Sequence, residues 1–151
     1  MTRMSQSRRD FLAITGGVAV GCAAFGSAAC HTNNARLLRP AAKGGVVTLA
    51  LPEVPELATP GAALRLAPPG WKDTILLWRD AAKVLHATSI TCTHLSCDLE
   101  VARDATHLYC PCHGSAFEAT GAVRKGPAKK PLRAYAVRET AAGLEVRGLA
   151  G

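Results

Sequence analysis

From residue 45 onward, the apolar residues of this chain lie in short runs that are separated by turn-forming residues. Runs of about four to eight apolar or alternating residues are typical of β-strands rather than of helices. The breaks include a proline–glycine segment at 68–70 and a polar segment at 79–83. This pattern predicts an all-β domain, an antiparallel sandwich or small barrel. The seven predicted strands cover residues 46–51, 62–67, 74–79, 84–91, 107–110, 135–139 and 144–147.

The first thirty residues have a different pattern, in which paired arginines are followed by an apolar run. Arg8 and Arg9 precede nineteen uncharged residues, 11–29. This is the layout of an export signal, and the segment from Ser7 to Leu12 resembles the twin-arginine signal of bacterial proteins that are exported after folding. An ordinary buried helix is disfavoured, because each of the four glycines in the run would cost nearly ~1 kcal/mol relative to alanine. We therefore expect a protein on the periplasmic side of the cytoplasmic membrane.

Several fates are open for this leader, residues 1–30. Nineteen residues at about 1.5 Å rise each just span the hydrocarbon layer of a bilayer, so the leader could remain as an anchor helix. The small residues 27–29 could instead be a cleavage site. Cys22 or Cys30 could be acylated, although neither has a leucine three positions before it. Residues 31–44 are polar and basic, and we interpret them as a flexible tether to a folded domain at 45–151.

The charge of the chain, formally +7, is concentrated in its N-terminal part. Residues 1–44 contain six basic side chains and one acidic side chain, whereas residues 45–151 contain twelve and ten. A nucleic-acid-binding domain would carry a stronger basic excess on its folded part, so we expect no nucleic acid as partner. One basic run, at 124–133, lies in a segment interrupted by proline. It is either a solvated loop or a docking surface for an acidic redox partner.

Four of the six cysteines and two of the five histidines lie in two short segments, CTHLSC at 92–97 and CPCHGS at 110–115. The segments follow the fourth and fifth predicted strands, so we expect both at turns on one end of the sheets. Their six potential metal ligands exceed the four that a tetrahedral zinc ion takes. A structural zinc module that uses Cys92, His94, Cys110 and His113 is possible. It would leave one cysteine of each segment, Cys97 and Cys112, without a role.

These two segments resemble the signature motifs of Rieske [2Fe–2S] proteins, and the likeness extends over roughly residues 70–147. The resemblance implies one [2Fe–2S] cluster, in which two histidines replace two cysteines on one iron. Cys92 and Cys110 would then bind one iron, and His94 and His113 would bind the other.

The resemblance also implies a disulfide between Cys97 and Cys112, in keeping with the oxidising periplasm. It implies a Rieske-type fold with a cluster-binding subdomain at about 90–132. Ser96 departs from the family pattern, which has glycine before the second cysteine. If that glycine adopts an unusual φ, serine there puts the geometry of the turn in doubt.

Two positions are expected to tune the cluster. Imidazole in place of thiolate removes negative charge, which raises the reduction potential above that of all-cysteine ferredoxins, and the added electron favours protonated histidines. Ser115 is expected to donate a hydrogen bond to a cluster sulfide. Phe117 stands where high-potential members of the family have a tyrosine, so we expect a potential below theirs. The stretch Gly126–Pro127–Ala128, with Pro131 beyond, resembles the proline loop that covers the cluster.

The resemblance implies an electron-transfer subunit of an oxidoreductase, similar to the iron–sulfur subunit of quinol–cytochrome c reductase. Its donor would be a quinol-oxidising cytochrome b or another enzyme, and its acceptor a c-type cytochrome. The alternative is the small Rieske subunit of an exported oxidoreductase such as arsenite oxidase. A Rieske oxygenase is disfavoured, because the 38 residues after His113 contain no histidine for a mononuclear iron site.

Overall fold

The structure, a computed structural model, describes residues 34–148. Over this range the chain forms twelve β-strands, and the two 3-10 helices Leu51–Glu53 and Pro55–Ala58 connect the third and fourth of them. No helix within this range is long and apolar enough to cross a membrane. The leader predicted at 1–30 lies outside the described residues. The strands are β1 (Leu37–Leu38), β2 (Ala42–Lys43), β3 (Val46–Leu49), β4 (Ala63–Leu66), β5 (Ile75–Arg79), β6 (Leu85–Ser89), β7 (Glu100–Val101), β8 (His107–Tyr109), β9 (Ala116–Glu118), β10 (Val123–Lys125), β11 (Ala136–Thr140) and β12 (Gly143–Arg147).

The strands form three sheets of four strands each, so the predicted all-β class is confirmed. The first sheet has the order β1-β4-β5-β6, the second β11-β12-β3-β2 and the third β10-β9-β8-β7. Only β1 and β4 pair in parallel among the strands described. The other neighbours are antiparallel, as expected for strands that short turns connect.

All seven predicted strands are present, and their ends differ from the prediction by two residues at most. The sequence pattern missed β1, β2, β7, β9 and β10, which have only two or three residues each. Alternation needs about four residues to be recognised, so strands this short leave no pattern.

Two of the missed strands change the interpretation of residues 31–44, which were predicted to be a flexible tether. Leu37–Leu38 pairs with Arg65 and Leu66, and Ala42–Lys43 pairs with the start of β3. The end of this segment therefore belongs to the folded domain. Backbone pairing with the edge of a sheet requires no apolar period, and for this reason the composition of the segment did not reveal it.

The domain contains two apolar cores that share strand β5. Leu76 and Trp78 point into the core beneath the cysteine–histidine segments, whereas Ile75 and Leu77 point into the core between the other two sheets. Successive side chains of a strand point to opposite faces, so a strand that is buried on both faces needs an uninterrupted apolar run. The run ILLW at 75–78 meets that requirement.

The third sheet brings three loops to one end. Loop 1 (residues 92–97) precedes β7, and loop 2 (residues 110–115) connects β8 to β9. Loop 3 (residues 126–131) follows β10. Because β7, β8, β9 and β10 are antiparallel neighbours, these three connections lie at the same edge of the sheet. The prediction that the two cysteine–histidine segments share one end of the sheets is confirmed.

Candidate metal centre

Loops 1 and 2 have the same backbone hydrogen bonds. In each loop, the N–H of the first cysteine donates to the carbonyl of the sixth residue, and the N–H of the fifth residue donates back to the first cysteine. Two loops with one backbone pattern can present equivalent ligands from opposite sides. The four bonds run from Cys92 N to Cys97 O at 2.8 Å, from Ser96 N to Cys92 O at 3.0 Å, from Cys110 N to Ser115 O at 2.8 Å and from Gly114 N to Cys110 O at 3.0 Å.

The fifth residue of each loop has a left-handed backbone conformation. Its φ is 73° at Gly114 and 59° at Ser96. Glycine adopts this conformation without strain, whereas any other residue meets a steric cost. Ser96 therefore keeps the turn geometry that glycine gives in loop 2, and the departure from the family pattern leaves the arrangement of the loop intact.

The four predicted ligands form a buried sulfur pair and an exposed nitrogen pair. Cys92 and Cys110 are free thiols whose residues are only 1% and 2% exposed. His94 and His113 are exposed, and their ring centroids lie 5.0 Å apart with the planes at 87°. The centre thus has one end inside the domain and one end at its surface.

A disulfide connects the two loops. Cys97 and Cys112 are bonded, and their Cα atoms are 6.6 Å apart. The Sγ atom of Cys110 lies within 4.8 Å of both sulfurs of this disulfide. Disulfide sulfurs are not thiolates and do not provide the usual cysteine ligand. These three sulfurs are therefore not a second metal site, and the bond instead limits how far the loops can separate.

The two buried thiols lie against each other. Burial raises the pKa of the Cys92 thiol, and the neighbouring Cys110 thiol raises it further. Hydrogen bonds from the His94 backbone N–H and the Ser115 side chain act in the opposite direction. Cys92 is a thiol rather than a thiolate near neutral pH, so a metal that binds it must displace a proton.

Loop 3 is attached to both of the other loops by hydrogen bonds. The Ala128 N–H donates to Ser115 Oγ at 3.0 Å, and Thr93 Oγ1 donates to the Lys130 carbonyl at 2.6 Å. Ser115 Oγ accepts one bond, so its own proton is available for the sulfur of Cys92, which it contacts. Ala128 belongs to the stretch that was predicted to cover the cluster, whereas no role was predicted for Thr93, because threonine is not associated with metal binding.

Ser115 and Phe117 are both fully buried at 0% exposure. Phe117 belongs to the same apolar core as Cys92 and Cys110. Its ring therefore packs beneath the centre and offers no hydroxyl group to it. Both tuning roles predicted from the sequence stay predictions that this arrangement allows.

Of the three residues 126–128 in the predicted covering stretch, one is buried against the centre. Gly126 and Pro127, which are joined by a cis peptide bond, are exposed, whereas Ala128 is 4% exposed. The inward contact of loop 3 is made by Ala128.

Residues 56–136, just over half of the chain, match the family model of the Rieske [2Fe–2S] domain. The chain therefore belongs to the Rieske [2Fe–2S] family.

The relatives include subunits of cytochrome complexes. The chain is 39% identical over 54 residues to the cytochrome b6-f complex iron–sulfur subunit of Chlorobaculum thiosulfatiphilum, which is 36% of this chain and 30% of that protein. It is 45% identical over 58 residues to the mitochondrial Rieske subunit of the cytochrome b-c1 complex of Mus musculus, which is 38% of this chain and 21% of that protein. The chain thus spans less than a third of the length of either relative.

One solved structure covers more of the fold. The cyanobacterial plasma membrane Rieske protein PetC3 from Synechocystis PCC 6803 is 30% identical, with a TM-score of 0.54. The match covers 62% of this chain and 93% of that one.

The family carries one [2Fe–2S] cluster, and the donor set of this chain fits it. Two adjacent buried thiols and two exposed imidazoles on disulfide-linked loops supply two cysteines and two histidines, as the mixed ligation requires. The zinc interpretation is set aside, because the matched family binds an iron–sulfur cluster.

Proposed function

We propose that this protein is a periplasmic electron carrier that takes single electrons from a membrane quinol-oxidising complex and passes them to the ferric haem of a c-type cytochrome. The observation that carries the proposal is the division of the centre into two ends. The cysteine end is buried, and the histidine end, with rings 5.0 Å apart, is exposed. Electrons move efficiently only over short distances, so a redox partner has its closest approach at His94 and His113.

The side chains of the chain have distinct roles in this proposal. Cys92 and Cys110 would hold one iron, and His94 and His113 the other. When bound, the cluster supplies a one-electron couple at a higher potential than an all-cysteine cluster. On each exposed histidine, the ring nitrogen that faces solvent can hold or release a proton as the charge of the centre changes.

The surrounding residues keep the site rigid and exclude water from its inner end. The disulfide holds loop 1 to loop 2, and loop 3 is attached to both loops. Phe117 is fully buried and belongs to the apolar core that contains both thiols, which keeps their surroundings apolar. A rigid, dry environment lowers the reorganisation that electron transfer requires, because few dipoles have to turn.

The comparisons support cytochrome partners for the proposed carrier. The names of two relatives place them in cytochrome b6-f and b-c1 complexes, and a third relative is described as a plasma membrane protein. The twin-arginine pattern at 7–12 supports export in the folded state, which is the route that a protein with a preassembled cluster needs.

The electron-transfer role is tested on the purified cluster-loaded protein. We expect two irons and two labile sulfides per chain and the low-g EPR signal of a mixed-ligand cluster in the reduced state. Membranes that contain a quinol-oxidising complex should reduce the protein, and a ferric c-type cytochrome should reoxidise it. If the protein is neither reduced by such membranes nor oxidised by the cytochrome, the proposed function is wrong.

The proposed location is tested separately with the full chain in a bacterial host that has the twin-arginine pathway. Replacing both arginines of the pair (Arg8→Lys with Arg9→Lys) should leave the protein in the cytoplasm. Arg3→Lys, a matched change outside the pair, should be exported normally. Equal export of both variants would contradict the predicted route.

A further inference from the structure

The positive charge of the folded domain is concentrated in one segment. Residues 34–148 contain fifteen basic and ten acidic side chains. The twenty residues 119–138 contain six of the basic side chains and none of the acidic ones. The remainder of the described chain therefore has nine basic and ten acidic groups and is close to neutral.

Half of these six basic side chains have a carboxylate partner. Arg124 lies 3.8 Å from Glu118, Arg133 lies 3.4 Å from Asp73, and Arg138 lies 3.1 Å from Glu145. The other three, Lys125, Lys129 and Lys130, are exposed and have no ion-pair partner among the residues that the structure describes. We call these three residues the lysine rim.

Backbone contacts place the lysine rim next to the loops that carry the exposed histidines. Lys125 pairs in β10 with Ala116, the residue after loop 2, and two hydrogen bonds fix the backbone at Lys129 and Lys130. Lys130 accepts a bond from Thr93, the residue before His94, through its carbonyl oxygen. Ala128, the residue before Lys129, donates to Ser115, which is two positions after His113. The backbone around Lys129 is thus fixed to both histidine loops at once.

No carboxylate of the two histidine loops opposes this charge. Residues 92–97 and 110–115 contain no acidic side chain, and Asp98, which follows loop 1, forms an ion pair with Arg65 at 3.0 Å. Leu95, the residue after His94 in loop 1, is 62% exposed and adds an apolar side chain to the exposed end of the centre. An apolar tip with a one-sided charged rim is suited to a protein partner of opposite charge.

We propose that the lysine rim is a docking surface for an acidic electron-transfer protein, which it orients so that the haem edge of that protein meets His94 and His113. This inference rests on the proposed function and specifies the charge of its partner. One electron leaves the protein, and the ferric haem of the partner is reduced to ferrous haem. Unpaired surface charges that face an opposite patch increase the association rate, by about ten-fold or more at low salt.

A membrane surface is a less suitable partner for this rim. Binding to anionic lipid takes clusters of about four to eight basic residues, with roughly 1 kcal/mol from each. The lysine rim has three unpaired charges, and they border the redox end of the domain.

The test uses stopped-flow oxidation of the reduced, cluster-loaded protein by three oxidants. These are an acidic c-type cytochrome, a basic c-type cytochrome of similar potential and a small neutral oxidant. We expect the double variant K129E/K130E to lower the second-order rate constant with the acidic cytochrome by at least about ten-fold at low ionic strength. The rate with the neutral oxidant should not change, and the rate with the basic cytochrome should not fall.

The matched control is K83E/R103E, which changes the net charge equally. Both of its positions lie in turns at the opposite end from the loops, where the Ala81 N–H bonds to the Ala105 carbonyl. The control should keep most of the rate with the acidic cytochrome. An equal loss in both double variants would mean that net charge alone matters, and the proposal would fail. It would also fail if K129E/K130E slowed all three oxidants equally, because the damage would then be to the centre itself.

Two further outcomes keep the alternatives apart. Binding to vesicles with 30% anionic lipid that is abolished by K129E/K130E, together with unchanged cytochrome rates, would replace the proposed partner by a membrane surface. Failure of the proposed function would be seen in the unsubstituted protein, as an absence of electron transfer to either cytochrome. If only the docking role of the lysine rim is wrong, the unsubstituted protein will transfer electrons to the cytochromes, and the rate will not depend on Lys129 or Lys130.

Discussion

Ser115 Oγ accepts a hydrogen bond of 3.0 Å from the backbone N–H of Ala128, and both residues are buried. This bond attaches the covering loop to the loop that carries His113. The same hydroxyl contacts the buried Cys92 thiol, so one small side chain links the covering loop and the sulfur end of the centre.

Ser115→Ala should lower both the stability and the reduction potential. The Ala128 N–H would remain buried without an acceptor, at a cost of about 1–3 kcal/mol. Loss of the hydroxyl proton would remove a group that favours the reduced form, so the potential should fall. Thermal bleaching of the cluster and a redox titration measure the two effects. Thr140→Ala, which removes a hydroxyl from the turn between β11 and β12, should leave the potential unchanged.

The left-handed conformation of Ser96, with φ of 59°, predicts a strong dependence on the residue at that position. Ser96→Val should destabilise the cluster-loaded protein by about 1–2 kcal/mol, because a β-branched side chain clashes in this conformation. Ser96→Gly should change the stability by less than about 1 kcal/mol, because relief of strain is offset by the greater entropy of glycine in the unfolded chain. Equal thermal midpoints for the two variants would contradict the assigned backbone geometry.

Removal of the disulfide should loosen the centre without abolishing its ligands. The bond closes a loop with a sequence separation of 15 residues. A loop of this length corresponds to about 3 kcal/mol of stabilisation in the chain-entropy model. We expect the double variant Cys97→Ser with Cys112→Ser to assemble the cluster and to lose it at a lower temperature. A bleaching temperature equal to that of the original protein would show that the loops do not depend on this bond.

Phe117→Tyr should raise the reduction potential. Phe117 is fully buried in the apolar core that contains both thiols, and the resemblance to the family predicts that a tyrosine hydroxyl at this position donates to a cysteine sulfur. A hydrogen bond to a ligand sulfur stabilises the reduced state. Phe117→Leu, which adds no donor, should leave the potential nearly unchanged, although it removes packing. A potential that does not differ between the tyrosine and leucine variants would mean that the side chain does not face a ligand sulfur.

His113→Cys should retain a cluster whose potential no longer depends on pH in the same way. Imidazole binds the metal through one ring nitrogen and can exchange a proton at the other, whereas a thiolate ligand has no such group. The negative charge of the thiolate should also lower the potential. Redox titrations at a series of pH values measure both effects. His107→Gln, at the start of β8, should keep the original pH dependence. An unchanged pH dependence in His113→Cys would argue against the predicted role of His113 as a ligand.

Most strands that the sequence predicted correctly have four or more residues of clear apolar pattern, such as Ile75–Arg79. The exception is His107–Tyr109, with three residues, which the sequence predicted as the four-residue run 107–110. The strands that it missed, such as Glu100–Val101, are too short for any periodicity and depend on neighbours for their hydrogen bonds. The pairing of Leu37–Leu38 with β4 could not be predicted from the sequence pattern for the same reason, since β1 has only two residues. This pairing depends on how the chain folds back so that residues 65–66 lie beside residues 37–38, and a local sequence pattern contains no information about that.

The sequence by itself determined which side chains can hold the cluster, because the motifs at 92–97 and 110–115 place ligands of the required types at short and fixed separations. Only the tertiary structure decided that the thiols are buried and the imidazoles exposed, that Ala128 is the buried residue of the predicted covering stretch, and that the backbone of Lys129 and Lys130 is attached to the histidine loops. These properties arise from contacts between loops that are distant in the chain. Ligand chemistry is a local property of residue type, whereas burial, access and surface charge depend on how separate segments pack together.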